Sequence, residues 1–177
     1  SIHVPEDERA LIACQELRRR DELGVRVLMH LDVRNLDAAI QAGIRTGLGD
    51  EWLRIGGVKI FMDGALGSRT GYMLEPYHEE PDNRGILVTT AEQLRELLRR
   101  ALPNGISVAV HAIGDAANRI VLDALEEAQD LYPTRPPLRH RIEHVQLLSL
   151  QDLPRLARLG VIASVQPLHA TADYEMV

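Results

Sequence analysis

The order of elements in these 177 residues predicts an α/β fold built on a parallel sheet. Three observations carry that expectation. Stretches with helical spacing alternate with short apolar runs as α-β-α-β-α-β-α-β-α-β, the rhythm of right-handed βαβ units. No Ser/Gly-rich linker or shift in composition divides the chain, so residues 1–177 read as one domain. In four of the five strands one face is aliphatic and the other carries mixed polar groups. A doubly wound sheet is covered by helices on both faces and should be apolar on both. A (β/α)8 TIM barrel carries helices outside only. The parity therefore favours part of such a barrel, with about five parallel strands and intervening helices.

The elements follow in order. Residues 5–21 place Ala10, Leu11, Cys14 and Leu17 on one helical stripe. Gly24 punctuates, and residues 25–31 (VRVLMHL) form a strand with Arg26, Leu28 and His30 on one face. Residues 36–46 are helical. Gly56 and Gly57 precede the strand 58–62, where Lys59, Phe61 and Asp63 oppose Val58, Ile60 and Met62. Residues 64–88 are a long polar connection rich in Gly and Pro. Thr90 and Gln93 form a capping box opening a helix to residue 102. In the strand 106–112 (ISVAVHA), Ser107, Ala109 and His111 share a face. Asp115 caps a helix to residue 131. Pro133, Pro136 and Pro137 break the chain before the strand 138–146, where His140, Ile142 and His144 are in phase. Ser149 and Asp152 form a second box for a helix to residue 159, and residues 161–167 (VIASVQP) are the last strand.

Composition narrows the function. The net charge is -6 with no basic stripe, which excludes nucleic acid as a partner. Aromatic residues make up 3%, too few for a stacking platform. The lone Cys14 forbids an internal disulfide and fits a reducing, cytoplasmic compartment. No apolar run approaches the roughly 20 residues of a membrane span, and no signal peptide is visible. The first residue is Ser1, not Met, which fits a piece of a longer protein.

Barrel enzymes place their chemistry at the carboxyl ends of the strands. His30, Lys59 or Asp63, His111 and His144 stand near those ends. Imidazole suits zinc, and two His ligands with open positions match a catalytic metal site. Lys59 is the anomaly, because a buried ammonium is costly. Either its head reaches a carboxylate such as Asp63, or it reacts with CO2 and becomes an oxygen ligand.

The segments KIFMDGALGSRTG, HAIGDAAN, RIEHVQ and SVQPLHATAD together resemble the amidohydrolase superfamily, in particular its amidohydrolase-3 branch of YtcJ-like metal-dependent hydrolases. The resemblance covers nearly the whole chain. It implies a (β/α)8 barrel of which this chain is strands three to seven. It also implies a centre of one or two divalent metals, zinc by preference, that hydrolyses small-molecule amide-type C–N bonds other than peptide bonds. Lys59, when carbamylated, His111 and His144 match the family's metal ligands. The family's His-x-His pair and its proton-shuttle aspartate have no counterpart here; Asp173 stands after the seventh strand, not the eighth. The catalytic aspartate is therefore expected outside this chain, and the segment alone is expected to be inactive, uncarbamylated and open to carrying no metal. Arg69, His30 and Asp63 are candidate substrate-binding residues, and Asp115 and Asn118 are capping residues or supports for the His111 imidazole. Open strand edges at 25–31 and 161–166, with Leu28, Phe61, Ile142 and Val161 or Ile162 exposed, predict a homo-oligomer, a dimer first. The alternative is a non-catalytic α/β folding or interaction segment with no metal.

Overall fold

The computed structural model describes residues 2–4, 8–134 and 136–172. Among them, six parallel strands form one sheet in strict chain order. They are β1 (Ile2–Val4), β2 (Val27–Asp32), β3 (Leu53–Phe61), β4 (Val108–Ala112), β5 (Arg141–His144) and β6 (Ile162–Ser164). The helices are α1 (Glu8–Arg19), α2 (Leu36–Gln41), α3 (Ala91–Ala101), α4 (Asp115–Leu131), α5 (Leu153–Arg158) and α6 (His169–Ala172). Each strand pairs with the next in sequence and the order never reverses. A doubly wound sheet reverses at a switch point; an unbroken order is that of a barrel segment.

All five expected strands form, and β1 is an addition. Three residues are too few for a periodicity signal, and β1 is fixed by pairing Ile2–Val4 with Val27, Leu28 and Met29. That corrects the expected open edge at residues 25–31: β2 is internal, and the sheet ends at β1 and β6. β3 starts five residues earlier than its apolar run, because Leu53, Arg54 and Ile55 pair with β2 across a register shift between Met29 and His30.

One face of the sheet carries the core. Val58, Ile60 and Met62 of β3, Val108 and Val110 of β4 and Ile142 of β5 pack with Leu36 and Ala39 of α2, Leu94 and Leu98 of α3, and Val121, Leu122 and Leu125 of α4. Each large side chain buried this way contributes about 1.5–3 kcal/mol. Ile142 belongs to this core and does not line the opposite face, as its phase with His144 had implied; of the pair Val161 or Ile162, Val161 belongs to the core and Ile162 pairs with Arg141. Phe61, 48% exposed, does line it.

Local signals held where the backbone needed them. Thr90 accepts from Gln93 N while the Gln93 side chain accepts from Thr90 N, closing the capping box of α3. Gly105 ends the following turn at φ 70°. The second box does not form: Asp152 turns its carboxylate to Arg119 and Arg155 instead of capping α5. Gly57, at φ 142°, leaves no room for a side chain, since a Cβ there would lie 2.2 Å from the Ser107 carbonyl oxygen.

Candidate functional site

Register builds the site. Asp32 pairs with Lys59, Lys59 with Ala109 and Ala109 with Arg141. The next level up joins Phe61, His111, Glu143 and Ser164. Alternation puts both rows on the face opposite the helix core. Lys59 is 7% exposed, and burial pulls its ammonium from the ordinary 10.5 to about 8; the Glu143 charge opposes that fall and Arg141 adds to it. Its Nζ lies 4.9 Å from the Phe61 ring centre. Lys59 is the only lysine of the chain; every other strongly basic side chain is an arginine.

Arg141 and Glu143 escaped the sequence reading. Arg141 Nε donates to Glu143 at 2.5 Å, and its Nη2 donates to Ser164 Oγ. Burial works to raise the Glu143 carboxyl, but bonds from Ser164 and Arg141 and the charge of Lys59 hold it below the usual range. The signal was available: both residues are out of phase with the apolar Ile142 and therefore face Lys59's side.

His111 and His144 come together, their ring centres 4.7 Å apart. Alternation alone would have separated them, because His144 pairs with core residue Ala112 and is in phase with Ile142. The backbone breaks that phase. His144 has φ 77° and Val145 φ 48°, a rare conformation for a β-branched residue. The His111 Nε2 lies 2.8 Å from the Gly64 carbonyl oxygen, so Nε2 carries the proton and Nδ1 keeps its lone pair. The His144 Nδ1 lies 2.7 Å from Gln166 Oε1, so there Nδ1 carries the proton and Nε2 is open. Burial lowers both imidazoles, helped at His111 by Lys59 and at His144 by His111. Both are therefore neutral at neutral pH. His169, which the reading passed over, sets its ring 5.7 Å from that of His144.

The other candidates take structural places. Asp63 is buried, with its oxygens filled by the backbone N–H groups of Ile113, Gly114 and Tyr72. Burial pushes its carboxyl up, against those three donors. It ties the long connection to the β4–α4 turn and stands 3.6 Å from His111 Nε2. Its acceptors therefore point to the long connection and the β4–α4 turn and not to Lys59. Arg69 is held by Glu80 at 2.5 Å and Glu79 at 3.3 Å, so its charge is already matched within the loop. His30 is buried two positions before the Lys59 level, against Gly56, where a Cβ would meet its ring at 2.6 Å. Asp115 accepts from Leu74 N and Ala116 N. Asn118 Nδ2 donates to the carbonyls of Gly114 and Leu147, joining the β4–α4 turn to the segment after β5. Asp173 lies outside the described residues.

The donor set fits a divalent metal in part. Two neutral imidazoles present one open nitrogen each beside a buried amine, and each ring's other nitrogen is bound to a carbonyl oxygen, the usual support of a metal-ligating histidine. Among the described residues no group of three or more His, Cys, Asp or Glu side chains could hold a metal, so a third donor must come from Lys59 or from another segment. No helix among them is long and apolar enough to cross a membrane.

Known proteins share this arrangement of segments. A model for the amidohydrolase family matches residues 5–177. The chain is 40% identical over 144 residues to Protein LONG AFTER FAR-RED 3 of Arabidopsis thaliana, covering 81% of this chain and 24% of that protein. It is 38% identical over 130 residues to a Bacillus subtilis (strain 168) protein whose name gives it as an amidohydrolase, YtcJ, covering 73% and 24%. The crystal structure of an uncharacterized metal-dependent hydrolase from Pyrococcus furiosus superimposes on all of this chain with a TM-score of 0.83 and 38% identity, over 35% of that protein. A second, from Pyrococcus horikoshii OT3, does so with a TM-score of 0.83 and 34% identity, over 34%. The chain thus spans about a quarter of the curated relatives it matches and about a third of the solved ones.

Proposed function

The chain belongs to the amidohydrolase family, and from that premise we propose that its six consecutive strands are a segment of a (β/α)8 metal-dependent hydrolase that cleaves amide-type C–N bonds of a small molecule. The observation that carries the reading is the convergence of His111 and His144, each with one open nitrogen, above the buried amine of Lys59. His111 Nδ1 and His144 Nε2 would hold the metal, and Lys59 would join them as its carbamate. Bound there, a divalent metal, zinc by the preference of imidazole, supplies Lewis acidity toward a carbonyl and a water nucleophile near neutral pH. Lys59 serves by being able to lose its proton. With the ammonium near 8, about a tenth of the amine is neutral at pH 7. The neutral amine adds to CO2 with release of a proton and turns a cation into an anionic oxygen donor. Glu143 and Arg141 frame that amine with opposite charges, and Phe61 covers it. The single cysteine supports a reducing, cytoplasmic setting.

The whole site needs about four to six ligand and proton-transfer groups, and this chain offers three. We therefore expect the chain alone to bind Zn2+ weakly through His111 and His144, to keep Lys59 uncarbamylated, and to hydrolyse nothing detectable. Calorimetric titration with Zn2+, beside an assay on N-acyl and N-formyl amines, tests this. Unchanged zinc binding in the His111→Ala/His144→Ala double variant would remove the metal-site reading. Chelator-sensitive amide hydrolysis by the chain would remove the incomplete-site reading. The lack of a three-donor group among the described residues favours a second reading, a non-catalytic folding or interaction segment. Complete absence of zinc binding, with the fold intact, is its signature.

A further inference from the structure

We propose that Gln166 is the positioning residue that decides which nitrogen of His144 faces the site. His144 lies off the strand alternation at φ 77°, so the regular pleat does not aim its ring. The ring is aimed instead from the segment just after β6, where Gln166 Oε1 sits 2.7 Å from Nδ1. The amide orientation of Gln166 follows from its other contact: its Nε2 donates to the Ser164 carbonyl at 3.2 Å, which leaves the oxygen toward the imidazole. The backbone around it is fixed as well, because Gln166 O accepts from His169 N at 3.0 Å. A carbonyl oxygen only accepts, so the imidazole proton is held on Nδ1 and the lone pair on Nε2.

The complementary assignment at His111 comes from a backbone carbonyl, Gly64 O, which no side-chain change can remove. At His144 the same task falls to a side chain, so Gln166 is the point at which the pair of tautomers can be altered. An imidazole without its partner divides its proton between both nitrogens and turns about χ2. The open nitrogen of His144 would then be shared with the wrong tautomer, and a ligand that needs Nε2 would bind more weakly. Loss of such supporting partners typically costs about 10- to 100-fold in metal affinity. The consequence for metal rests on the reading under Proposed function; the tautomer itself does not.

Long-range 1H–15N correlation spectra of the metal-free chain, labelled at histidine, read the tautomer directly. The wild-type chain is expected to show His144 protonated at Nδ1. In Gln166→Met, of similar size with no carbonyl acceptor, the resonances should move to a mixture or to the Nε2-protonated form. Gln166→Glu, which keeps an acceptor, should restore Nδ1 protonation. Zn2+ affinity should fall about 10-fold or more in Gln166→Met and recover in Gln166→Glu. A wild-type His144 protonated at Nε2, or a Gln166→Met variant with an unchanged tautomer, overturns the proposal. A tautomer that switches in a chain that binds no zinc supports Gln166 and counts against the metal reading alone.

Discussion

Replacing Lys59 by methionine should stabilise the fold, and the gain should vanish in alkali. The side chain is 7% exposed, and burial brings its ammonium from 10.5 down to about 8. For a base with a depressed folded value, the unfolded chain binds more protons between the two values. Stability is then fully present above 10.5 and falls as pH drops through 8. At about 1.4 kcal/mol per pH unit, the charged lysine costs about 3 kcal/mol at pH 7. Methionine fills a similar volume without that cost but gives up the ammonium's contact with the Phe61 ring, about 1 kcal/mol. The expected net gain is about 2–3 kcal/mol at pH 7, or roughly 5–10 °C in Tm. Urea denaturation of both chains from pH 7 to pH 10.5 measures it. Because Lys59 is the only lysine, isotope-labelled lysine gives one side-chain resonance whose titration checks the midpoint near 8. A variant less stable than wild type at pH 7, or a gain that does not change with pH, refutes the reasoning.

Two further outcomes follow. His140 is 2% exposed and accepts from Val108 N through Nδ1 at 3.3 Å; burial lowers it from 6.5 to about 4. Its contribution is present above 6.5 and is lost as pH falls through 4, so acid unfolding should lose about 3 kcal/mol across that window. In His140→Asn this part of the slope should be gone, and an identical slope by circular dichroism would count against it. Among the described residues the β6 edge is unpaired on its outer side, and Phe61, Val165 and Leu168 are 48%, 57% and 74% exposed. We expect self-association that buries more than about 1,600 Å². Light scattering should find a dimer or larger species, and a clean monomer at micromolar concentration would contradict it.

The sequence by itself determined the α/β alternation, the parallel order and the aliphatic face, because these rest on local periodicity and on the rule that βαβ crossovers are right-handed. It also determined that Lys59 and His111 share a face, since two residues on regular strands keep their phase. It also carried two signals that went unread: the phase of Arg141 and Glu143 against Ile142, and the fact that Lys59, already marked as anomalous by its burial, is the single lysine of a chain that otherwise uses only arginine. Tertiary structure alone decided the rest. β1 is three residues long and exists because β2 offers it an edge. Asp63 and Arg69 stood as candidate substrate contacts in the sequence, and each is held by partners, up to 51 residues away for Asp63 and 11 residues along the same connection for Arg69. His144 was expected beside His111, but its phase with Ile142 pointed to the opposite face. Two left-handed backbone conformations turn it toward His111, and a glutamine 22 residues later sets its proton. Periodicity can say which way a regular strand points. It cannot say where a strand breaks its phase, because a left-handed residue without glycine is tolerated only when distant contacts over-determine it.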